Sequence, residues 1–198
     1  MTSKKTRATN PQKLRIIAGK WRSRQIGFVS APGLRPTGDR IRETVFNWLA
    51  PYIDGAHCLD LFAGSGALGL EALSRGASNC TALELNGAAA TQLRDNKNSL
   101  DAEQLTIVEV DSVHYLNQNT PKQAFNIVFV DPPFDDQLHS RVCTALQTGN
   151  WLTAGAMIYC ELPASDNEFT APPNWVKLRE KVAGEVKYCL YSAIEPED

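Results

Sequence analysis

An α/β fold with a mainly parallel sheet is predicted by three observations in this 198-residue chain. From residue 56 onward, short apolar runs alternate with stretches of helical period, the rhythm of repeated β-α-β units. The first of those runs, HCLDLF, leads into the glycine-rich turn AGSGALG, which opens a helix. The last two runs, WVKLREKV and EVKYCLYSA, are separated only by a turn around Ala183-Gly184. That gap is too short for a crossover helix, so the sheet is predicted to finish in an antiparallel hairpin.

The elements follow in order. Residues 13–29 read as two short strands turning near Gly19-Lys20, with Ile16, Ile17, Ile26, Phe28 and Val29 as the apolar positions. SAPGLRPTG is a Pro- and Gly-rich linker. Thr37 is expected to cap a helix over 38–50, whose Ile41, Val45, Trp48 and Leu49 keep helical spacing. HCLDLF is the first strand of the main sheet, and ALGLEALSRG is a helix closed by Gly76. NCTALEL is the second strand, followed by a helix over 87–100 capped by Asn86. LTIVEV, a short helix over 112–118 and FNIVFV come next, then a helix over 136–148 that stops at Gly149. GAMIYCEL is the fifth strand, before the closing hairpin. Residues 1–34 thus form a tail and hairpin, and residues 35–198 the body.

Charge divides the chain at nearly the same place. Residues 1–42 hold 11 of the 20 basic residues and one of the 22 acids, a balance of +10, which leaves −12 on the remainder. Arg15, Lys20, Arg22, Arg24 and Arg40 interleave with apolar residues instead of forming a block, so the arm is expected to contact a polyanion. No apolar run approaches the roughly 20 residues of a membrane span. The polar, basic start MTSKKTRATN is no secretory signal and reads as a solvated end. Five widely spaced cysteines without a CxxC pair suggest small buried hydrophobes and a reducing cytoplasm, with no metal site or disulfide framework.

In open α/β sheets the ligand sits beyond the carboxyl ends of the strands. After the first strand, Asp60 precedes the turn in which Gly64 and Gly66 let the backbone approach a ligand and Gly69 lets the helix lie close to the sheet. Glu84 ends the second strand, where an acid can accept both hydroxyls of a ribose. Asp111 and Ser112 follow the third strand, placed to read an adenine or to cap a helix, and one residue can do both. These three loops fit either a nicotinamide dinucleotide or S-adenosylmethionine.

The fourth loop discriminates. VFVDPPF carries neither a proton donor nor a hydride-acceptor site, and His57, His114 and His139 are scattered singly. It suits methyl transfer to a planar exocyclic amine. Asp131 and the Pro132 carbonyl accept the amine hydrogens and favour a pyramidal nitrogen, Pro133 adds rigidity, and Phe134 offers a stacking face.

Together, LRPTGDRIRETVFNWL, LDLFAGSGALGLEALSRGA, ALELN and VDPPF resemble the RsmD family of 16S ribosomal RNA guanine-N2 methyltransferases, over nearly the whole chain. The resemblance implies a seven-stranded class I S-adenosylmethionine-dependent methyltransferase sheet of Rossmann-like type, with a small N-terminal β-hairpin extension. It implies S-adenosylmethionine as cofactor and one guanine of the small-subunit RNA, guanine 966, as acceptor. It assigns Asp60 and the Gly64–Gly66 loop, with Phe62, Ala63 and Ser65, to the methionine part of the cofactor. Glu84 falls to the ribose and Asp111 to the adenine, with Leu85 and Ser112 also against the cofactor. Arg35, Pro36 and Thr37 close over the cofactor, and Asp131, Pro132, Pro133 and Phe134 hold the target base. The hairpin touches 16S rRNA, in the small subunit or a late assembly intermediate, and a monomer is the expected state. The D-P-P-F motif serves adenine-N6 methylation of DNA or RNA equally well, and a weakly active RNA-binding assembly factor is the third reading.

Overall fold

The computed structural model of the protein describes residues 12–29, 37–133 and 138–194. The chain opens with a two-stranded antiparallel hairpin, β1 (Gln12–Arg15) and β2 (Gln25–Phe28). Helix α1 (Asp39–Leu49) leads into the alternating body: β3 (His57–Asp60), α2 (Ala67–Ser74), β4 (Asn79–Glu84), α3 (Gly87–Leu100), β5 (Leu105–Glu109) and α4 (Ser112–Gln118). It continues through β6 (Phe125–Val130), α5 (Leu138–Thr148), β7 (Leu152–Pro163), β8 (Trp175–Ala183) and β9 (Val186–Ala193).

The main sheet has seven strands in the order β5-β4-β3-β6-β7-β9-β8. The first five are parallel; β9 runs antiparallel to β7, and β8 antiparallel to β9. The chain leaves β3 toward one edge and returns to place β6 on its other side. The carboxyl ends of β3 and β6 therefore flank the switch point at which open sheets bind ligands. Side chains alternate between two cores as a period of two requires. Ile127 and Phe129 of β6 face the core shared with α1, α2, α3 and the hairpin, while Val128 and Val130 face the core shared with α4 and α5.

The expected elements form, with two differences. The fifth strand begins at Leu152, three residues before the predicted start. More informatively, Thr37 does not cap α1. The cap position is Gly38, which makes no side-chain cap bond, and the Thr37 hydroxyl turns to two carboxylates instead, the half-buried Asp131 and the buried Glu161. A hydrogen bond to a carboxylate is roughly twice as strong as one to a neutral group, so the tertiary partner outcompetes the helix end.

The hairpin is fastened to the body by polar groups that the sequence patterning did not single out. Glu71 of α2 is fully buried; it accepts the N–H groups of Ile17 and Ala18 at 2.7 and 3.0 Å and the Arg75 Nε at 2.7 Å. Arg42 of α1, also fully buried, sits 3.6 Å from Glu71 and donates to the carbonyls of Thr37 and Arg15. Ser74 donates to the Ala18 carbonyl and accepts the Trp21 N–H. Gly19 lies so close that a Cβ there would fall 1.8 Å from the Ser74 carbonyl oxygen, which only glycine permits. Ile16, Trp21 and Ile26 fill the core beneath these contacts.

Candidate active site

A cavity of about 810 Å³ opens over the carboxyl ends of β3, β4 and β6. One end is built around the β3–α2 turn. Asp60, buried at the end of β3, accepts the Gly69 N–H at 3.2 Å. Gly66, with φ +80°, starts α2; a Cβ there would meet Leu93 at 2.3 Å, so the left-handed turn and the packing beneath it both demand glycine. Gly64 has φ +51° and nothing within 4 Å of where a Cβ would stand, leaving its backbone open on the cavity. The Asn96 side chain ties this loop to the hairpin, donating to the carbonyls of Ser65 and Gly27.

Glu84 braces the same loop from β4. One carboxylate oxygen accepts the Gly64 N–H and the other the Asn86 N–H, each at 2.7 Å. A carboxylate has about four acceptor sites, so roughly half its capacity stays available to a ligand. Asp111 caps α4 by accepting the His114 N–H at 2.7 Å, and it also lines the cavity, which leaves both predicted roles open to it. The Ser112 hydroxyl is committed to the Leu61 carbonyl.

The other end is made of side chains from distant segments. Asp131 follows β6 directly, half-buried, with Pro132 buried beside it and Pro133 exposed. Its Oδ2 accepts the Thr37 hydroxyl at 3.0 Å, and the same hydroxyl lies 2.6 Å from Oε1 of Glu161, at the end of β7. The Tyr159 hydroxyl donates to that Oε1 at 2.7 Å. Burial and then the Glu161 charge push Asp131 well above the usual carboxylate range, and burial raises Glu161 as well. At the first end burial pushes Asp60 up to about 7, against the backbone N–H groups that favour its ionised form.

The lining gathers almost every residue that the sequence nominated. Asp60, Phe62, Ala63, Gly64 and Ser65 form one wall, and Glu84, Leu85, Asp111 and Ser112 the next. Thr37, Asp131, Pro132 and Pro133 close the far side. Gly66 stands behind the surface as the turn that shapes it. Arg35, Pro36 and Phe134 lie outside the described residues. Arg15, Lys20, Arg22, Arg24 and Arg40 are all exposed, and none of them lines the cavity. Two are engaged within the fold: Arg15 pairs with Asp39 at 2.9 Å, and Arg24 donates to the Ser99 carbonyl at 2.6 Å.

Sequence reasoning missed Glu161, Tyr159 and the β8–β9 turn, whose Ala183 to Val186 also line the cavity. The signal for Glu161 was available: like Glu84, it is an acid at the carboxyl end of a buried strand. The electrostatic consequence is plain. Asp60, Glu84, Asp111, Asp131, Glu161 and Glu185 line the cavity, and among the described lining residues there is no lysine, arginine or histidine. Such a site favours a cationic ligand and disfavours a pyrophosphate.

Comparison with known proteins agrees with this geometry. The model of the family described as conserved hypothetical protein 95 matches residues 14–192. A curated relative from Escherichia coli strain K12, named ribosomal RNA small subunit methyltransferase D, is 48% identical over 189 residues, covering 95% of this chain and 94% of that protein. Its namesake from Haemophilus influenzae is 46% identical over 180 residues, covering 90% and 93%. A solved structure described as a putative methyltransferase from Escherichia coli superposes with a TM-score of 0.86 at 44% identity, covering 92% of this chain and 99% of that one. The family match spans residues 14–192 and these relatives share close to half of the chain's residues over 90% or more of its length, so the chain belongs to the RsmD family, whose family model bears the description conserved hypothetical protein 95.

Proposed function

We propose that this protein transfers a methyl group from S-adenosylmethionine to the N2 amine of a guanine in 16S ribosomal RNA, guanine 966 by the family resemblance. The observation that carries this reading is a cavity whose charged lining among the described residues is entirely acidic, with a glycine turn at one end and Asp131-Pro132 at the other. The residues fit the cofactor. Its sulfonium and ammonium suit the carboxylates, above all Asp60, whose raised affinity for a proton reflects its burial. A nicotinamide dinucleotide would set a pyrophosphate among the same acids.

S-adenosylmethionine supplies, when bound, an electrophilic methyl group on a positively charged sulfur. The chain's residues hold and orient. Asp60 and the Gly64 backbone take the methionine end, Glu84 accepts ribose hydroxyls with its spare sites, and Asp111 faces the adenine. Asp131 and the Pro132 carbonyl accept the two amine hydrogens, which fixes the nitrogen and points its lone pair at the donor side. Arg35, Pro36 and Phe134 keep the roles that the resemblance implies, over the cofactor and against the base. No covalent enzyme intermediate is needed: all five cysteines are buried, none lines the cavity, and burial pushes the Cys58 thiol up to about 12. The guanine must leave its stack to reach Asp131, at a cost of a few kcal/mol that phosphate contacts by the basic hairpin help offset. The relatives named above are small-subunit enzymes, which supports the ribosomal substrate.

The test is incubation of the purified protein with methyl-labelled cofactor and 16S rRNA, naked or in small subunits, followed by nucleoside analysis. N2-methylguanosine is the expected product. N6-methyladenosine would reassign the acceptor, and binding without turnover on any RNA would leave an assembly factor.

A further inference from the structure

We propose that Glu161 is a positioning residue that acts through the Thr37 hydroxyl to make Asp131 the acceptor of the proton released by the methylated amine. The inference rests on the functional reading above and assigns a task to a side chain outside every motif. Its starting point is a count of hydrogens. Thr37 Oγ1 carries one hydrogen, yet it stands 3.0 Å from Asp131 Oδ2 and 2.6 Å from Glu161 Oε1. With both carboxylates ionised, two anionic acceptors compete for that hydrogen, and one contact sets lone pair against lone pair.

A single added proton resolves the conflict. With the proton on Asp131, its carboxyl donates to Thr37, Thr37 donates to Glu161, and Tyr159 supplies Glu161 with a second donor at 2.7 Å. Every hydrogen then has one acceptor. Because Tyr159 serves Glu161 and not Asp131, the charge is better held on Glu161 and the proton on Asp131. Among the described residues, the other groups around the pair do not neutralise it. Asp60 acts on Asp131 from β3 as a further negative charge, and Tyr188 of β9 lies opposite Glu161 in the sheet. The His139 ring of α5 meets only the Glu161 backbone carbonyl, and Arg42 of α1 reaches the Thr37 carbonyl.

The step balances. When the amine has gained its methyl group, one N–H bond breaks and its electron pair stays on nitrogen. An O–H bond forms on the Asp131 carboxyl, which becomes neutral as the nitrogen loses its positive charge. Thr37 turns its hydrogen to Glu161, whose own charge is unchanged. Burial and the Glu161 charge thus give Asp131 a proton affinity that an isolated exposed carboxylate lacks, with Thr37 passing its one hydrogen between the two carboxyls, and a general base works best when that affinity lies near the working pH.

The test compares Glu161→Gln, Thr37→Val and Thr37→Ser by turnover against pH and by titration of the Asp131 carboxyl in the ligand-free protein, followed by carbon NMR with labelled aspartate. Glutamine keeps an oxygen for Thr37 and Tyr159 and removes the charge. Expected for Glu161→Gln is a fall of roughly 10- to 100-fold in plateau kcat. Its low-pH limb moves to lower pH, while RNA KM and cofactor Kd stay near wild type. Thr37→Val should lower plateau kcat likewise and Thr37→Ser should restore it, and the Asp131 titration should move down in Glu161→Gln, where the raising charge is gone. An unchanged profile in Glu161→Gln overturns the proposal. So does a fall in kcat without a pH shift that serine fails to rescue, because a structural role alone would act that way. If wild-type protein methylates no RNA while the Asp131 titration still follows Glu161, the functional reading fails and the coupling stands.

Discussion

The two ends of the cavity are built by different means. At the Asp60 end the bonds are local: Asp60 reaches Gly69 nine positions on, and Glu84 reaches Gly64 and Asn86, 20 and two positions away. Backbone N–H groups meet carboxylates within one strand-turn-helix unit and its neighbouring strand. At the Asp131 end the partners come from far apart, with Thr37 lying 94 residues from Asp131 and 124 from Glu161. A cofactor cradle can be folded from contiguous sequence. The Asp131 end, which under the proposed function holds the amine, needs several remote segments to agree, and it is the part most easily disabled without unfolding the rest.

The sharpest way to break the comparison is Asp131→Ala. Loss of a positioned acceptor at the reacting nitrogen should lower kcat by roughly 1,000-fold or more. Cofactor affinity, measured by calorimetry, should stay within about threefold, because the Asp60 end is untouched. An equal collapse of binding would mean that the two ends are one structural unit. Gly66→Ala tests the converse. Its Cβ would stand 2.3 Å from Leu93 at a φ of +80°, so the turn must shift. Strain and overpacking of this kind cost about 1–3 kcal/mol. Thermal melting should register that cost, and cofactor Kd should rise by roughly tenfold.

A smaller effect separates the ends by pH. Asp60 is held at about 7, raised from the usual carboxylate value by burial, so below neutrality the folded chain binds a proton there that the unfolded chain releases. The resulting stability is present in acid and is lost as pH rises through about 7. A cationic ligand favours the ionised form, so cofactor affinity should rise by up to about tenfold per pH unit below that point and then level off. Calorimetry in buffers of different ionisation enthalpy should detect the proton released. Asp60→Asn should abolish both the release and the slope.

The same contrast explains what could be read in advance. The β-α rhythm, the closing hairpin and the Asp60-to-Gly69 turn are local patterns, and all appear where expected. Asp131-Pro132-Pro133 was legible because proline rigidity marks a strand exit in a few letters. Glu161 and Tyr159 looked like ordinary members of a buried strand, since nothing in YCEL announces a threonine more than a hundred residues earlier. Thr37 was misread as a helix cap for the same reason: its local role was visible and its stronger distant partners were not. Arg42 and Glu71 hid among helix-spaced positions, where charged residues normally face solvent.

The least disruptive changes probe the exposed basic side chains of the arm, none of which lines the cavity. Lys20 and Arg22 are exposed on the hairpin turn and make no ion pair among the described residues, whereas Arg15 and Arg24 are engaged with Asp39 and the Ser99 carbonyl. If the arm tracks RNA phosphates, the free side chains should contribute most. Lys20→Ala and Arg22→Ala should each weaken RNA binding a few-fold and reduce the slope of log affinity against log salt by about one. Cofactor affinity should stay at the wild-type value, and melting temperature should move little, Lys20→Ala giving up only a cation–π contact with Trp21 at 5.1 Å. Arg24→Ala should behave differently, losing a little stability with the hydrogen bond to α3 and less of the salt slope. A slope that does not move with Lys20 and Arg22 would place the RNA elsewhere on the surface. The hairpin, fastened so firmly by Glu71, Ser74 and Asn96, would then serve to hold the glycine turn rather than the substrate.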